Sequence, residues 1–170
     1  MGSATVTNAI AVTAGHDALK AAFVTTSSKV TAKKAVVTFN DVDTTAVEAT
    51  ELSNVASAVG SATVTNAIAL SGNHDELKAA LVTTGTKATA KKAVVTFDDA
   101  TNATMTASEI SSIVGAAASA TITNKVAITG NKTDMKAALV TAGTAATINT
   151  TGTTATVSDA ATLAEANALS

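Results

Sequence analysis

The chain has 170 residues, 46% of them hydrophobic but only 2% aromatic, with no Cys, no Pro and a formal net charge of −2. All eleven basic residues are Lys, so the Arg-bearing, aromatic-studded basic face of a nucleic-acid binder is missing, and without Cys there is no disulfide, thiolate metal site or Cys nucleophile. No apolar run approaches the roughly eighteen residues of a membrane span, and 14% charge with abundant β-branched residues argues against disorder.

One phrase recurs at a fixed period. Ser3-Ala4-Thr5-Val6-Thr7-Asn8 returns at Ser61–Asn66, and 61 − 3 = 58; it returns again as Ser119-Ala120-Thr121-Ile122-Thr123-Asn124, and 119 − 61 = 58. The chain therefore divides into units 2–59, 60–117 and 118–170 of a single repeat array. Ala makes up roughly a quarter and Thr roughly a fifth of the residues, far above ordinary usage. Such small side chains suit thin layers in which each pass of the chain covers the next.

Each unit predicts two strand–helix pairs. In unit one Gly15, Leu19 and Phe23 belong to a helix, with Ser27 where a stopping Gly would stand, and Glu48 replaces a capping Thr, which weakens the next helix start. In unit two Ala62–Thr65 and Ala67–Leu70 alternate as strand around a corner at Asn66. Asn73 with Glu76 forms a capping box, Leu77, Ala80 and Leu81 share one apolar face, and Gly85 is the stop. Ala93–Phe97 is a strand, 98–102 a polar loop, and Thr106 with Glu109 opens a helix through Ile110, Ile113 and Val114 to Gly115. Unit three repeats this with Asn131, Asp134, Met135, Leu139 and Gly143, then Thr162 with Glu165; Phe39 and Phe97 become Ala155 there, and Lys33-Lys34 and Lys91-Lys92 become Asn149-Thr150. Leu81, Phe23 and Leu139 are expected to face inward.

Thr7, Thr38, Thr65, Thr96 and Thr123 mark successive strands, alternately 31 and 27 residues apart (38 − 7 and 65 − 38), so a coil averages 29. One strand and one short helix per coil of that length predicts an α/β fold: a right-handed solenoid of short parallel strands alternating with short helices. The alternative is an all-β solenoid whose apparent helices are only corners.

Candidate sites all have structural readings. His16 and His74 occupy the same place in successive units, with Asp17 and Asp75 beside them as second metal ligands; unit three has Lys132-Thr133 there, and Asp in a first helical turn is already favoured by the dipole. Asn40-Asp41-Val42-Asp43 and Asp98-Asp99 lack the turn Gly of a calcium loop and read as solvated turns attracting Lys33-Lys34 and Lys91-Lys92. No hydroxyl has an oriented base and no Gly-rich loop cradles phosphate, so no catalytic, cofactor or metal residue is assigned and no cofactor is expected. The Thr-x-Thr phrases Thr5-Val6-Thr7, Thr63-Val64-Thr65, Thr121-Ile122-Thr123 and Thr154-Ala155-Thr156 suggest a flat ice-binding face, but Val36-Val37-Thr38 and Val94-Val95-Thr96 are expected to break it at every second coil.

The closing stretch Ala155–Leu169 and the phrase Gly130-Asn131-Lys132-Thr133-Asp134-Met135-Lys136-Ala137-Ala138-Leu139 resemble the Ala/Thr-rich tandem-repeat arrays of very large extracellular or cell-surface proteins of cyanobacteria and other aquatic bacteria. The resemblance implies a secreted or cell-surface structural array, in adhesion or a sheath. Met1-Gly2-Ser3-Ala4-Thr5 lacks the regions of a signal peptide, so secretion would rest on sequences of a parent protein. The expected function is a non-enzymatic structural fragment whose partners are copies of itself or adjoining repeats; the alternative is a Thr-lined surface for ice or polysaccharide.

Overall fold

A computed structural model describes residues 4–26, 30–141, 143–149 and 151–169. Met1–Ser3, Ser27 and Thr150, named above, lie outside them. In chain order the elements are β1 (Ala4–Thr5), β2 (Ala11–Ala14), α1 (His16–Phe23), β3 (Val30–Phe39), β4 (Ala46–Glu48), α2 (Ala49–Ala58), β5 (Val59–Val64), β6 (Ala69–Gly72) and α3 (His74–Leu81). They continue with β7 (Val94–Phe97), β8 (Thr104–Thr106), α4 (Ala107–Ala116), β9 (Ser119–Ile122), β10 (Ala127–Gly130), α5 (Lys132–Leu139), β11 (Thr147–Ile148), β12 (Thr154–Val157) and α6 (Leu163–Asn167). The fold is α/β, and six helices among the described residues overturn the all-β alternative.

The helices form where local chemistry favours them. Asn73 accepts from the Glu76 N–H while Glu76 reaches back to Asn73, and the Thr106–Glu109 and Thr162–Glu165 boxes are closed in the same way. Glu48 caps α2 without a side-chain hydrogen bond, the weaker start expected of it. Leu77, Ala80 and Leu81 are buried on one face of α3, as are Ile110, Ile113 and Val114 on α4. Phe23 is also buried, whereas Leu139 is only half-buried. Gly85 and Gly143 take positive φ of 93° and 84°, but α3 and α5 end at Leu81 and Leu139, so these glycines shape the turn beyond the helix rather than stopping it.

All paired strands are parallel. They assemble into three ribbons. The first runs β2–β3–β5 and on to Thr89, with β1 on the opening half of β3; the second runs β4–β6–β7–β9–β11; the third runs β8–β10–β12. The register step is shorter than the 29-residue average coil: Ala46 pairs with Ala69, Ala69 with Val94 and Val94 with Ser119, steps of 23, 25 and 25. Each ribbon therefore slides along the chain, and every 58 residues a new short strand (β4, then β8) opens the next one. Thr7, Thr65 and Thr123 lie just past their strands, and the second strand of unit two begins at Ala69 rather than Ala67.

Alternate side chains of each strand point inward. Val12, Val37 and Ala62 form one inner column, Val47, Leu70, Val95 and Ala120 the next, and Met105, Ile128 and Ala155 the third. The helices stack in turn, α1 on α2 through to α5, and cover these columns. The layers are thin: an added Cβ at Gly72 would stand 2.9 Å from the Ala49 Cβ, and one at Gly130 the same distance from the Ala107 Cβ.

Unit three is offset. Gly130 pairs with Val157 as Gly72 pairs with Phe97, so Val157, not Ala155, replaces the buried Phe. Two residues are gained before β12. Four are then lost: Asp99 precedes its helix cap Thr106 by 106 − 99 = 7, but Asp159 precedes Thr162 by 162 − 159 = 3, and no counterpart of β4 or β8 forms between them.

Candidate functional site

The outward side chains of the ribbons fall into register. Thr13, Thr38, Thr63 and Thr89 stand in one column. Glu48, Ser71, Thr96, Thr121 and Thr147 form a second, and Thr106, Thr129 and Thr156 a third. Neighbours within a column are about 4.8 Å apart, the spacing of paired strands. Beside them run Ala11, Val36 and Ser61, and Ala46, Ala69, Val94 and Ser119, with Val36 51% and Val94 45% exposed. The Thr-x-Thr pair is not continued from strand to strand: Ala11, Val36 and Ser61 fill one flanking row, Ala46, Ala69, Val94 and Ser119 the other, and Glu48 and Ser71 open the second column, so only a single Thr column persists along each of these ribbons. The 25-residue step aligns Thr38 with Thr63 and Thr96 with Thr121, so the phrases with a single Thr fill the column rather than interrupt it.

The histidines meet carboxylates that sequence reasoning placed elsewhere. Asp41 accepts from the His16 backbone N–H at 3.0 Å and lies 2.6 Å from His16 Nδ1. Asp99 does the same for His74, at 3.0 Å and 2.5 Å. Asp17 and Asp75 stand farther off, 3.6 and 3.8 Å from the respective Nε2 atoms. Asp99 is only 4% exposed, so these aspartates are not solvated turns. Each is a buried cap on the first turn of the helix in the preceding pass, where free N–H groups and the dipole favour an anion. Asp159 repeats the cap on the Lys132 N–H at 2.7 Å, without a His; the cap, not the imidazole, is the element common to all three units. Among the described residues no three His, Asp or Glu side chains come together as a metal-holding group.

No family model, curated protein or solved structure matches this chain.

The lysines also find partners other than those expected. Lys33 donates to the Ser57 carbonyl at 2.7 Å and Lys91 to the Gly115 carbonyl at 2.5 Å, at the C-terminal ends of α2 and α4, where cations are favoured. They do not pair with Asp41 or Asp99. Carboxylates on the helices are held by other lysines: Lys20 with Glu51, Lys78 with Glu109 at 2.7 Å, and Lys132 with Glu165 at 3.4 Å. The Lys78 ammonium, helped by the Thr106 hydroxyl and backbone, holds the Glu109 carboxyl down at about 2, and Lys20 lowers Glu51. Burial, then Glu76 and Asp99, push Asp98 up.

The signs oppose. A depressed carboxyl stabilises the fold above its unfolded value, here 4.5, and loses that contribution as pH falls through the folded value. Asp98 contributes at low pH and loses its contribution as pH rises through its raised value. Glu109→Gln should therefore lower stability at neutral pH by about 1 kcal/mol, after allowing for solvent screening of a partly exposed pair. It should also flatten the loss of stability between pH 4.5 and about 2. Urea titrations across that range check both.

Proposed function

We propose that this chain is a segment of a non-enzymatic structural repeat array: a right-handed solenoid of strand–helix coils, part of a secreted or cell-surface protein, that associates end to end into a filament, sheath or adhesive layer. The observation that carries this reading is the parallel register running through both unit boundaries. Val37-Thr38-Phe39 on Ala62-Thr63-Val64 is the same join as Val95-Thr96-Phe97 on Ala120-Thr121-Ile122. A unit that meets its own copy in this way propagates by nearest-neighbour contacts alone. Parallel strands joined through helices favour right-handed crossovers, and the cell-surface placement is supported by the resemblance to extracellular Ala/Thr-rich arrays. Among the described residues no helix is long and apolar enough to cross a membrane. Sedimentation and electron microscopy over a concentration series should find unbranched filaments that lengthen with concentration. A strictly monomeric chain at the highest concentration would contradict the assembly.

The Thr columns favour a second reading, a ligand face for ice or polysaccharide. Rows of hydroxyl and methyl groups at strand spacing suit an ordered water lattice. Phe23, Phe39 and Phe97 are all buried, so no aromatic platform is offered to a sugar ring, and ice is the better of the two ligands. Thermal hysteresis with ice shaping by the isolated chain would support this reading; its absence would remove it.

A further inference from the structure

The two internal junctions specify what the exposed edges of β1 and β12 accept. At each, four residues of one strand lie on four of the next, and polar side chains stitch the corner beyond. Thr65 Oγ1 donates to the Phe39 carbonyl at 3.1 Å and Asn66 Nδ2 to the Asp41 carbonyl. Thr123 and Asn124 repeat this on Phe97 and Asp99 at 2.9 and 2.8 Å.

The first described residues, Ala4-Thr5-Val6-Thr7-Asn8, are identical to Ala62–Asn66. There the face that the previous coil covers elsewhere is open. Ala4 is exposed and Val6 and Ile10 half-buried, where Ala62, Val64 and Ile68 are buried. Thr7 and Asn8 stand exposed. At the other end β12 occupies the register place of Val36–Phe39 and of β7. Val157 pairs with Gly130 as Phe97 pairs with Gly72, Ser158 donates to the Gly130 carbonyl as Asp98 does to Gly72, and Asp159 caps Lys132 as Asp99 caps His74. The far edge of β12 pairs with no described strand, and Ala155 is exposed where Val37 and Val95 are buried.

We infer that β1 of a second copy of this chain docks in parallel on the free edge of β12, setting Ala155 against Ala4, Thr156 against Thr5 and Val157 against Val6. Thr7 and Asn8 of the incoming copy then hydrogen-bond the carbonyls of Val157 and Asp159. This inference rests on the array reading and adds the partner, the polarity and the register. The two surfaces differ, so the contact is head-to-tail, and it extends into a filament where successive copies do not rotate back onto the first. It carries the outward Thr column of β10 and β12 on into Thr5 and Thr31 of the next copy. Among its described residues unit three has no strand corresponding to β4 or β8, so β2 keeps a free edge in the docked pair.

The test is disulfide trapping, which has no background because the chain has no Cys. Strand partners about 4.8 Å apart lie within disulfide reach. One chain carrying Thr5→Cys is mixed with one carrying Thr156→Cys and oxidised mildly. A linked heterodimer is expected. A single chain carrying Thr38→Cys and Thr63→Cys should close its own bond, reporting the internal register. The pair Thr5→Cys with Thr154→Cys is displaced by two residues, about 6.6 Å along the strand, and should give roughly tenfold less product. An internal bond without the intermolecular one would overturn the docking and leave the array reading standing. Equal yield from the displaced pair, or homodimers of the Thr5→Cys chain in equal amount, would overturn the register. Failure of the internal bond would overturn both readings.

Discussion

Phe97→Ala is expected to destabilise the fold by about 3–5 kcal/mol. Phe97 is fully buried, set between Gly72 in the strand before it and Ile122 in the strand after. The other buried Leu, Ile, Val and Ala side chains of the core are already packed, so the space a phenyl ring leaves stays as a cavity. Gly72, opposite in the register, has no side chain to fill the space. Phe97→Val should cost much less, since unit three carries Val157 in the same register place. Chemical denaturation checks both. A loss below about 1 kcal/mol for Phe97→Ala would mean that the layer collapses onto the cavity.

Asp99→Ala is expected to cost about 2–3 kcal/mol at neutral pH, since hydrogen bonds to charged groups contribute more than neutral ones and a buried donor left unmet costs further. The substitution uncaps the first turn of α3 and strips His74 of its Nδ1 partner in one step. It also unties two passes of the chain 25 residues apart. Asp75→Ala is the control: Asp75 sits next to the same His, but its side chain is 80% exposed, and its loss should change stability by less than about 0.5 kcal/mol. If both variants lose equal stability, helix charge rather than the buried cap holds the passes together.

The helices were legible because their signals are local. Asn73 with Glu76, and Thr106 with Glu109, each state a helix start within four residues, and the 58-residue period states that the unit repeats. What sequence reasoning missed depends on which strand lies beside which. Averaging two coils per unit gives 29 residues, whereas the strands pair at steps of 23 to 27 because the ribbons slide and a third short strand is inserted in alternate passes. That difference hid the Thr columns, since Thr38 aligns with Thr63 only at a step of 25. It also hid the His–Asp caps. A signal was present: 41 − 16 and 99 − 74 both equal 25, the step that pairs Ala11 with Val36. Paired acidic residues next to a turn read as solvated because nothing in their immediate neighbours reports the helix start waiting in the preceding pass. The partners of Lys33 and Lys91 are hidden for the same reason, being carbonyls at helix ends.

In the proposed array each unit is a step held by its neighbours through one repeated register. This arrangement is tested most directly by inserting a further copy of residues 60–117 between Ala117 and Ala118 and following thermal unfolding by circular dichroism. A repeat array gains one more unit and one more interface. The lengthened chain should keep its helix and strand content per residue, unfold in a single transition and show a higher Tm. A chain that loses its structure, or whose inserted unit melts separately below the rest, would contradict the repeat array.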